Sequence, residues 1–161
     1  MNYISPKTAL FPGTFDPFTL GHLSIVERGL RLVDEIIIAI GVNPDKKTFF
    51  PLEERLEMLT RLFESNPRIT VRTYNGLTVD FAGETGARLI LRGVRSVNDF
   101  EYEKNIAGIN REIAGVETFF LFTEPEYTHI SSSLVRELLT YGKSVAAFVP
   151  ENLHIDEYKK I

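Results

Sequence analysis

The sequence predicts an α/β protein built on an open, doubly wound, parallel five-stranded sheet with helices on both faces. Two observations lead there. Apolar runs of strand length alternate with segments of helical period from end to end. One run, Glu35-Ile-Ile-Ile-Ala-Ile-Gly-Val42, is apolar without alternation, as expected of a strand covered on both sides. No repeat, low-complexity stretch or linker divides the chain, so residues 1–161 are expected to form a single domain.

Each element has its own signal. Thr8 to Phe11 is a short apolar run before a Pro-Gly break and reads as the first strand. Leu23, Val26, Leu30 and Val33 recur at helical steps. Glu35–Val42 is the second strand, and 43–50 is polar loop. Pro51 suits a first helical position, and Leu52, Leu56, Leu59 and Leu62 continue from it. Ile69–Tyr74 alternates as a strand, and Thr78–Gly86 is a short helix ending on glycine. Arg88–Arg92 is a fourth strand, Asn98–Ala114 a long helix stopped by Gly115, and Glu117–Phe122 a fifth strand. Ser132–Tyr141 is a helix stopped by Gly142, and Pro150–Lys160 is expected to form a last one.

Composition narrows the function. Hydrophobic residues make up 43% and charged residues 25% of the 161, an ordinary globular balance. The net charge of −4 argues against bulk attraction to nucleic acid or an anionic membrane. Without cysteine there is no disulfide, thiolate catalysis or cysteine-ligated zinc. His22, His129 and His154 do not form a ligand cluster in sequence. The absence of a signal pattern and of any long apolar run points to a cytoplasmic protein.

In a doubly wound fold, ligands bind outside the carboxyl ends of the strands. Those ends are 12–22, 43–50, 74–78, 92–103 and 123–133. The first reads Pro12-Gly-Thr-Phe-Asp-Pro-Phe-Thr-Leu-Gly-His22, a tight turn delivering a histidine to a helix start, where an anion meets the macrodipole and free N–H groups. The bland alternative is a turn with a capping threonine and a partly exposed histidine. Lys46 and Lys47 follow the second strand; taken alone, they are solvated charge. Arg92 and Arg95 flank a glycine, a pairing suited to bidentate grip on a phosphate. Ser131, Ser132 and Ser133 open a helix four residues or so before Arg136. One serine there is an ordinary cap; three offer hydroxyls and amides to an anion. Jointly these ends point to a polyphosphate ligand. The chain has no Walker A lysine motif and no Gly-x-Gly-x-x-Gly after its first strand, which disfavours a P-loop enzyme and a dinucleotide cofactor.

The stretches GTFDPFTLGH and ISSSLVR resemble the nucleotidyltransferases of the (H/T)-x-G-H type, with Thr19 at the first position and Gly21-His22 at the last. The stretch LRGVRSVNDFEYE, Leu91 to Glu103, is similar to that of the bacterial phosphopantetheine adenylyltransferases of coenzyme A synthesis. The resemblance spans essentially the whole chain. It implies a Rossmann-like nucleotidyltransferase fold and a reaction of ATP with phosphopantetheine, with Mg²⁺, giving dephospho-coenzyme A and pyrophosphate. It implies ATP contacts at Thr14, Phe15, His22, Gly93, Val94, Arg95, Glu103, Tyr127, Thr128, His129, Ile130, Ser131, Ser132 and Ser133. Acceptor contacts are implied at Thr14, Lys46, Thr78 and Arg92, catalytic roles at His22, Lys46 and Arg95, and assembly as a homohexamer. One departure is Gly76, where some members carry an acidic residue before Leu77.

The attacking phosphate is already ionised and needs no general base, so positioning and electrostatics are expected to carry the rate. His22 is assigned to the transition-state oxygens, Lys46 and Arg92 to the attacking phosphate, and Arg95 with the serines to pyrophosphate. Mg²⁺ is expected to bridge phosphate oxygens while keeping waters, without a protein carboxylate cage. Asp16 is expected either to brace its loop through backbone N–H groups or to approach the metal. Rival readings are a sibling transferase for nicotinamide mononucleotide or a small alcohol phosphate, and a nucleotide sensor without turnover. The 92–103 segment argues against the first, and His22 with Lys46 against the second.

Overall fold

A computed structural model describes residues 6–158. The elements are β1 (Thr8–Gly13), α1 (Leu20–Gly29), β2 (Glu35–Val42), α2 (Leu52–Phe63), β3 (Ile69–Asn75), α3 (Thr78–Thr85), β4 (Leu89–Val94), α4 (Val97–Ala114), β5 (Glu117–Phe122) and α5 (Ser132–Thr140). Short 3₁₀ turns occupy Pro125–Tyr127, Glu151–Leu153 and Ile155–Tyr158.

The five strands form one parallel sheet in the order β3-β2-β1-β4-β5. The chain winds from β1 outward to β3, then crosses to the other side of β1 for β4 and β5. The winding direction therefore reverses between β1 and β4, and the crevice opens there.

Strand periodicity divides the core between two faces. Ala9, Phe11, Ile36, Ile38, Ile40 and Leu91 pack with Ile25 and Val26 of α1, Met58 and Leu59 of α2 and Val135 of α5. Leu10, Ala39 and Ile90 face the other way, against Val79, Phe81 and Ala82 of α3. Fully burying each such large side chain contributes about 1.5–3 kcal/mol. Helix α4 covers β4 and β5, with Phe100 against Phe120 at 5.8 Å between ring centroids. It is mostly solvent-exposed, and its one buried residue among those described is Glu103.

Two expectations change. Pro51 precedes α2 as its N-cap, with ψ 157°, and the helix begins at Leu52. The segment from Pro150 is not an α-helix up to Tyr158; it makes two 3₁₀ turns joined at His154, whose φ is 52°. Leu153 and Ile155 are both buried, 2% and 5% exposed. Residues two apart cannot face one core from a continuous helix, so the chain turns between them. Lys159 and Lys160 lie outside the described residues.

Candidate active site

At the β1/β4 reversal lies a cavity of about 360 Å³. Its walls come from the β1–α1 loop, the β2–α2 loop, the end of β4 with the start of α4, and the start of α5.

His22 owes its place to the helix start. Thr19 is the N-cap of α1, with extended φ −124° and ψ 170°. Its hydroxyl faces the backbone N–H of His22 at 3.4 Å, while its own N–H donates to His22 Nδ1 at 3.0 Å. This is a capping box with histidine in the place usually held by glutamate or glutamine. Because Nδ1 accepts, the neutral ring carries its proton on Nε2. Phe15 and Phe18 flank the ring, each with its centroid 5.2 Å away. Burial pushes the imidazole from the ordinary 6.5 down to about 3, and the charges of Arg92 and Arg95 push the same way. At neutral pH His22 is an uncharged N–H donor.

Phe15 itself has φ 49°, unusual for a non-glycine residue. A Cβ on Gly13 would come within 2.8 Å of the Phe15 ring, so the close approach requires glycine.

Thr14 and Lys46 meet across the two loops, with Lys46 Nζ donating to Thr14 Oγ1 at 3.2 Å. Asp16 is buried, 4% exposed. Its carboxylate accepts the backbone N–H groups of Phe49 at 2.7 Å and Phe50 at 2.8 Å. Of the two roles expected for Asp16, bracing is the one this geometry performs.

Arg92 is held on three sides. Its Nε and Nη2 donate to the two carboxylate oxygens of Glu103 at 2.8 and 2.5 Å, and Nη1 donates to the Pro12 carbonyl at 2.6 Å. The fork is thus oriented in advance. Arg95 has looser ties: Nη1 donates to the Ile130 carbonyl at 3.4 Å, and Asp99 lies 3.7 Å from Nε.

The serine hydroxyls are engaged within the protein. Ser131 caps α5 by accepting from Leu134 N–H at 3.1 Å, and Ser132 donates to the Pro17 carbonyl at 2.8 Å. Ser133 accepts from Arg136 Nη2 at 3.1 Å. Only Ser132 spends its proton inside the protein; Ser131 and Ser133 accept there, so their O–H groups and the first amides of the helix remain for an anion.

Gly93 and Ile130 also line the cavity. Val94 is buried in the sheet, with its carbonyl accepting from Thr123. Tyr127, Thr128 and His129 are not part of the lining and form the turn leading to Ile130. Thr78 also stands off the cavity, at the start of α3, hydrogen-bonded to Tyr74 Oη at 2.8 Å. Gly76 has φ 84°, a conformation that favours glycine, and a Cβ there would meet nothing within 4 Å.

The structure adds two residues. Arg136, noted in the sequence only for its place near the serines, lines the cavity and donates from Nη1 to the Asp16 carbonyl at 2.8 Å. Arg55, beside Glu53 and Glu54 and singled out by no motif in the sequence, is 4% exposed and bonded to the loops that form the site.

Comparison with known proteins follows the same lines. The cytidylyltransferase-like family pattern matches residues 10–138. A phosphopantetheine adenylyltransferase of Bacteroides thetaiotaomicron is 57% identical over 150 residues, covering 93% of this chain and 99% of its own. One from Bacteroides fragilis is 52% identical, covering 92% of this chain and 99% of its own. One from Flavobacterium johnsoniae is 48% identical, covering 92% and 98%.

Proposed function

The chain belongs to the phosphopantetheine adenylyltransferases of the cytidylyltransferase-like family, and from that premise we propose how its cavity transfers the adenylyl group. The enzyme joins ATP to phosphopantetheine in coenzyme A synthesis. A phosphate oxygen of phosphopantetheine bonds to the α-phosphorus of ATP. The bond from that phosphorus to the α,β-bridging oxygen breaks, and pyrophosphate leaves with the electron pair. No proton has to move in the step, because the attacking group is already an anion.

The chemical difficulty is the meeting of two anions and the extra charge on the α-phosphoryl oxygens. Lys46, beside Thr14, and Arg92, oriented by Glu103, hold the attacking phosphate. Thr78 belongs to the same acceptor, farther along its pantetheine arm. His22 donates its Nε2–H to an α-phosphoryl oxygen. Its neutrality suits this role: the site's positive charge sits on lysine and arginine, and the imidazole supplies a fixed dipole that needs no reorganisation. Arg95, with the first amides of α5, receives the pyrophosphate. Glu103, Gly93, Val94 and the turn 127–133 belong to the nucleotide side.

Mg²⁺ is proposed to enter with ATP. The donor set fits a phosphate-borne ion: both Asp16 carboxylate oxygens accept N–H bonds, and among the described residues no group of three or more His, Cys, Asp or Glu side chains is placed to hold a metal ion. Bound on the phosphates, it would neutralise their charge and retain waters.

The observation that carries this reading is the convergence of a neutral N–H donor, His22, with Lys46, Arg92 and Arg95 on one cavity at the sheet reversal. The test is a product assay with ATP, Mg²⁺ and a panel of acceptors. Phosphopantetheine is expected to yield dephospho-coenzyme A and pyrophosphate, with little product from nicotinamide mononucleotide or glycerol phosphate. Comparable turnover with nicotinamide mononucleotide would overturn the acceptor assignment.

A homohexamer in the cytoplasm, with neither nucleic-acid nor membrane partners, completes the proposal. Tyr102, Ile109 and Ile113 lie on one stripe of α4 and are 65%, 57% and 60% exposed, an apolar face suited to contacts between copies. No helix among the described residues is long and apolar enough to cross a membrane. Sedimentation measures the assembly directly.

A further inference from the structure

Lys46 sits on an exposed loop, and Thr14 on a turn. Neither could hold a phosphate within the tolerance of catalysis unless something fixed the two loops against each other. The fixing group is buried beneath them. Arg55, on the first turn of α2, sends Nη1 to the Thr14 carbonyl at 2.7 Å and Nε to the Phe50 carbonyl at 3.1 Å. One planar guanidinium thus spans the start of the β1–α1 turn and the end of the β2–α2 loop. Asp16 makes the reciprocal link: it lies in the first segment and accepts two N–H groups from the second, Phe49 and Phe50. The two side chains, both 4% exposed, form a crossed brace between the loops that carry Thr14 and Lys46.

We propose that Arg55 is a positioning residue for the acceptor phosphate: it sets the separation of Thr14 and Lys46 without touching substrate. The proposal rests on the functional reading above. Its effect falls more on the acceptor than on ATP: Thr14 is shared by both substrates, but Lys46 belongs to the acceptor, and the arginine is bonded to neither Arg95 nor the start of α5.

The test compares Arg55→Met and Arg55→Lys with the unaltered enzyme, measuring kcat, KM for phosphopantetheine, KM for ATP and Tm. Lysine keeps the buried charge beside Asp16 but cannot span two carbonyls with a rigid fork. Arg55→Lys is therefore expected to recover most of the Tm lost in Arg55→Met, while KM for phosphopantetheine stays raised by about tenfold and KM for ATP rises distinctly less. In a Lys46→Ala background the same change should raise the acceptor KM much less, since the group being positioned is gone. A purely structural role would lower kcat with the folded fraction and leave both KM values alone, and that result would overturn the proposal. So would equal rises for both substrates, or additive effects of the two substitutions. Absence of turnover in the unaltered enzyme would defeat this proposal and the functional reading together, whereas normal turnover with unchanged KM in Arg55→Lys would defeat only the role of Arg55.

Discussion

The backbone N–H of Thr19 points at Nδ1 of His22 from 3.0 Å. A helix cap thereby fixes the tautomer of the ring, and the proton on Nε2 is set by the main chain rather than by another titratable side chain. The usual risk of histidine as a donor, that it titrates near neutrality, is removed by burial between Phe15 and Phe18.

If that N–H acts on the charge developing at the α-phosphorus, its contribution belongs to the transition state. His22→Ala should lower kcat and kcat/KM together by roughly 10²–10³, with nucleotide affinity little changed. Single-turnover rates and a thermal melt on one preparation decide it. A near-normal rate constant in a folded variant would rule the role out.

The lowered pKa of His22 also bears on stability. The unfolded ring titrates near 6.5 and the folded one at about 3, so between those values the unfolded chain binds more protons. The stabilising contribution of the neutral ring is complete above 6.5 and is lost as pH falls toward 3. Urea unfolding near neutrality and at about pH 4.5 should show a smaller acid loss in His22→Gln than in the unaltered protein. The same shift predicts no inflection of kcat near pH 6.5 from this imidazole.

The two arginines should separate the substrates. Arg92→Ala is expected to weaken phosphopantetheine binding more than ATP binding, and Arg95→Ala to do the reverse. Each lost charge-assisted contact costs on the order of 1.5–3 kcal/mol. Calorimetric titration with each ligand alone checks this, and equal losses in both variants would show that the division of the site is wrong. Arg92→Ala carries a second cost, since it leaves the buried Glu103 carboxylate without its partner.

Gly13→Ala tests the packing beneath the histidine. The added methyl would press on the Phe15 ring from 2.8 Å, and Phe15 in turn contacts His22. A destabilisation of about 1–3 kcal/mol is expected from overpacking. Displacement of the ring should lower kcat further than the folded fraction alone explains, by up to roughly 10². Activity per folded molecule, measured beside the melt, separates the two effects.

The sequence by itself determined the sheet. Uninterrupted apolar runs such as Ile36–Ile40 can be satisfied only between two layers, and their alternation with helical periods leaves few topologies open. It also determined where to look, because functional loops follow strand ends; His22, Lys46, Arg92, Arg95 and the 131–133 segment do converge. Only the tertiary structure decided what each group is free to do. Of the three serine hydroxyls, Ser132 gives its proton to the Pro17 carbonyl, while Ser131 and Ser133 accept from Leu134 and Arg136 and keep their own. Arg92 is tied to Glu103, eleven residues away, and to Pro12, eighty away. Arg55, which no motif in the sequence singles out, lies buried against carbonyls 5 and 41 residues distant. Hydrogen bonds of that span leave no period or spacing in a sequence. They depend on which backbone groups the packed strands leave unpaired and on which long side chain the fold happens to bring within 3 Å of them.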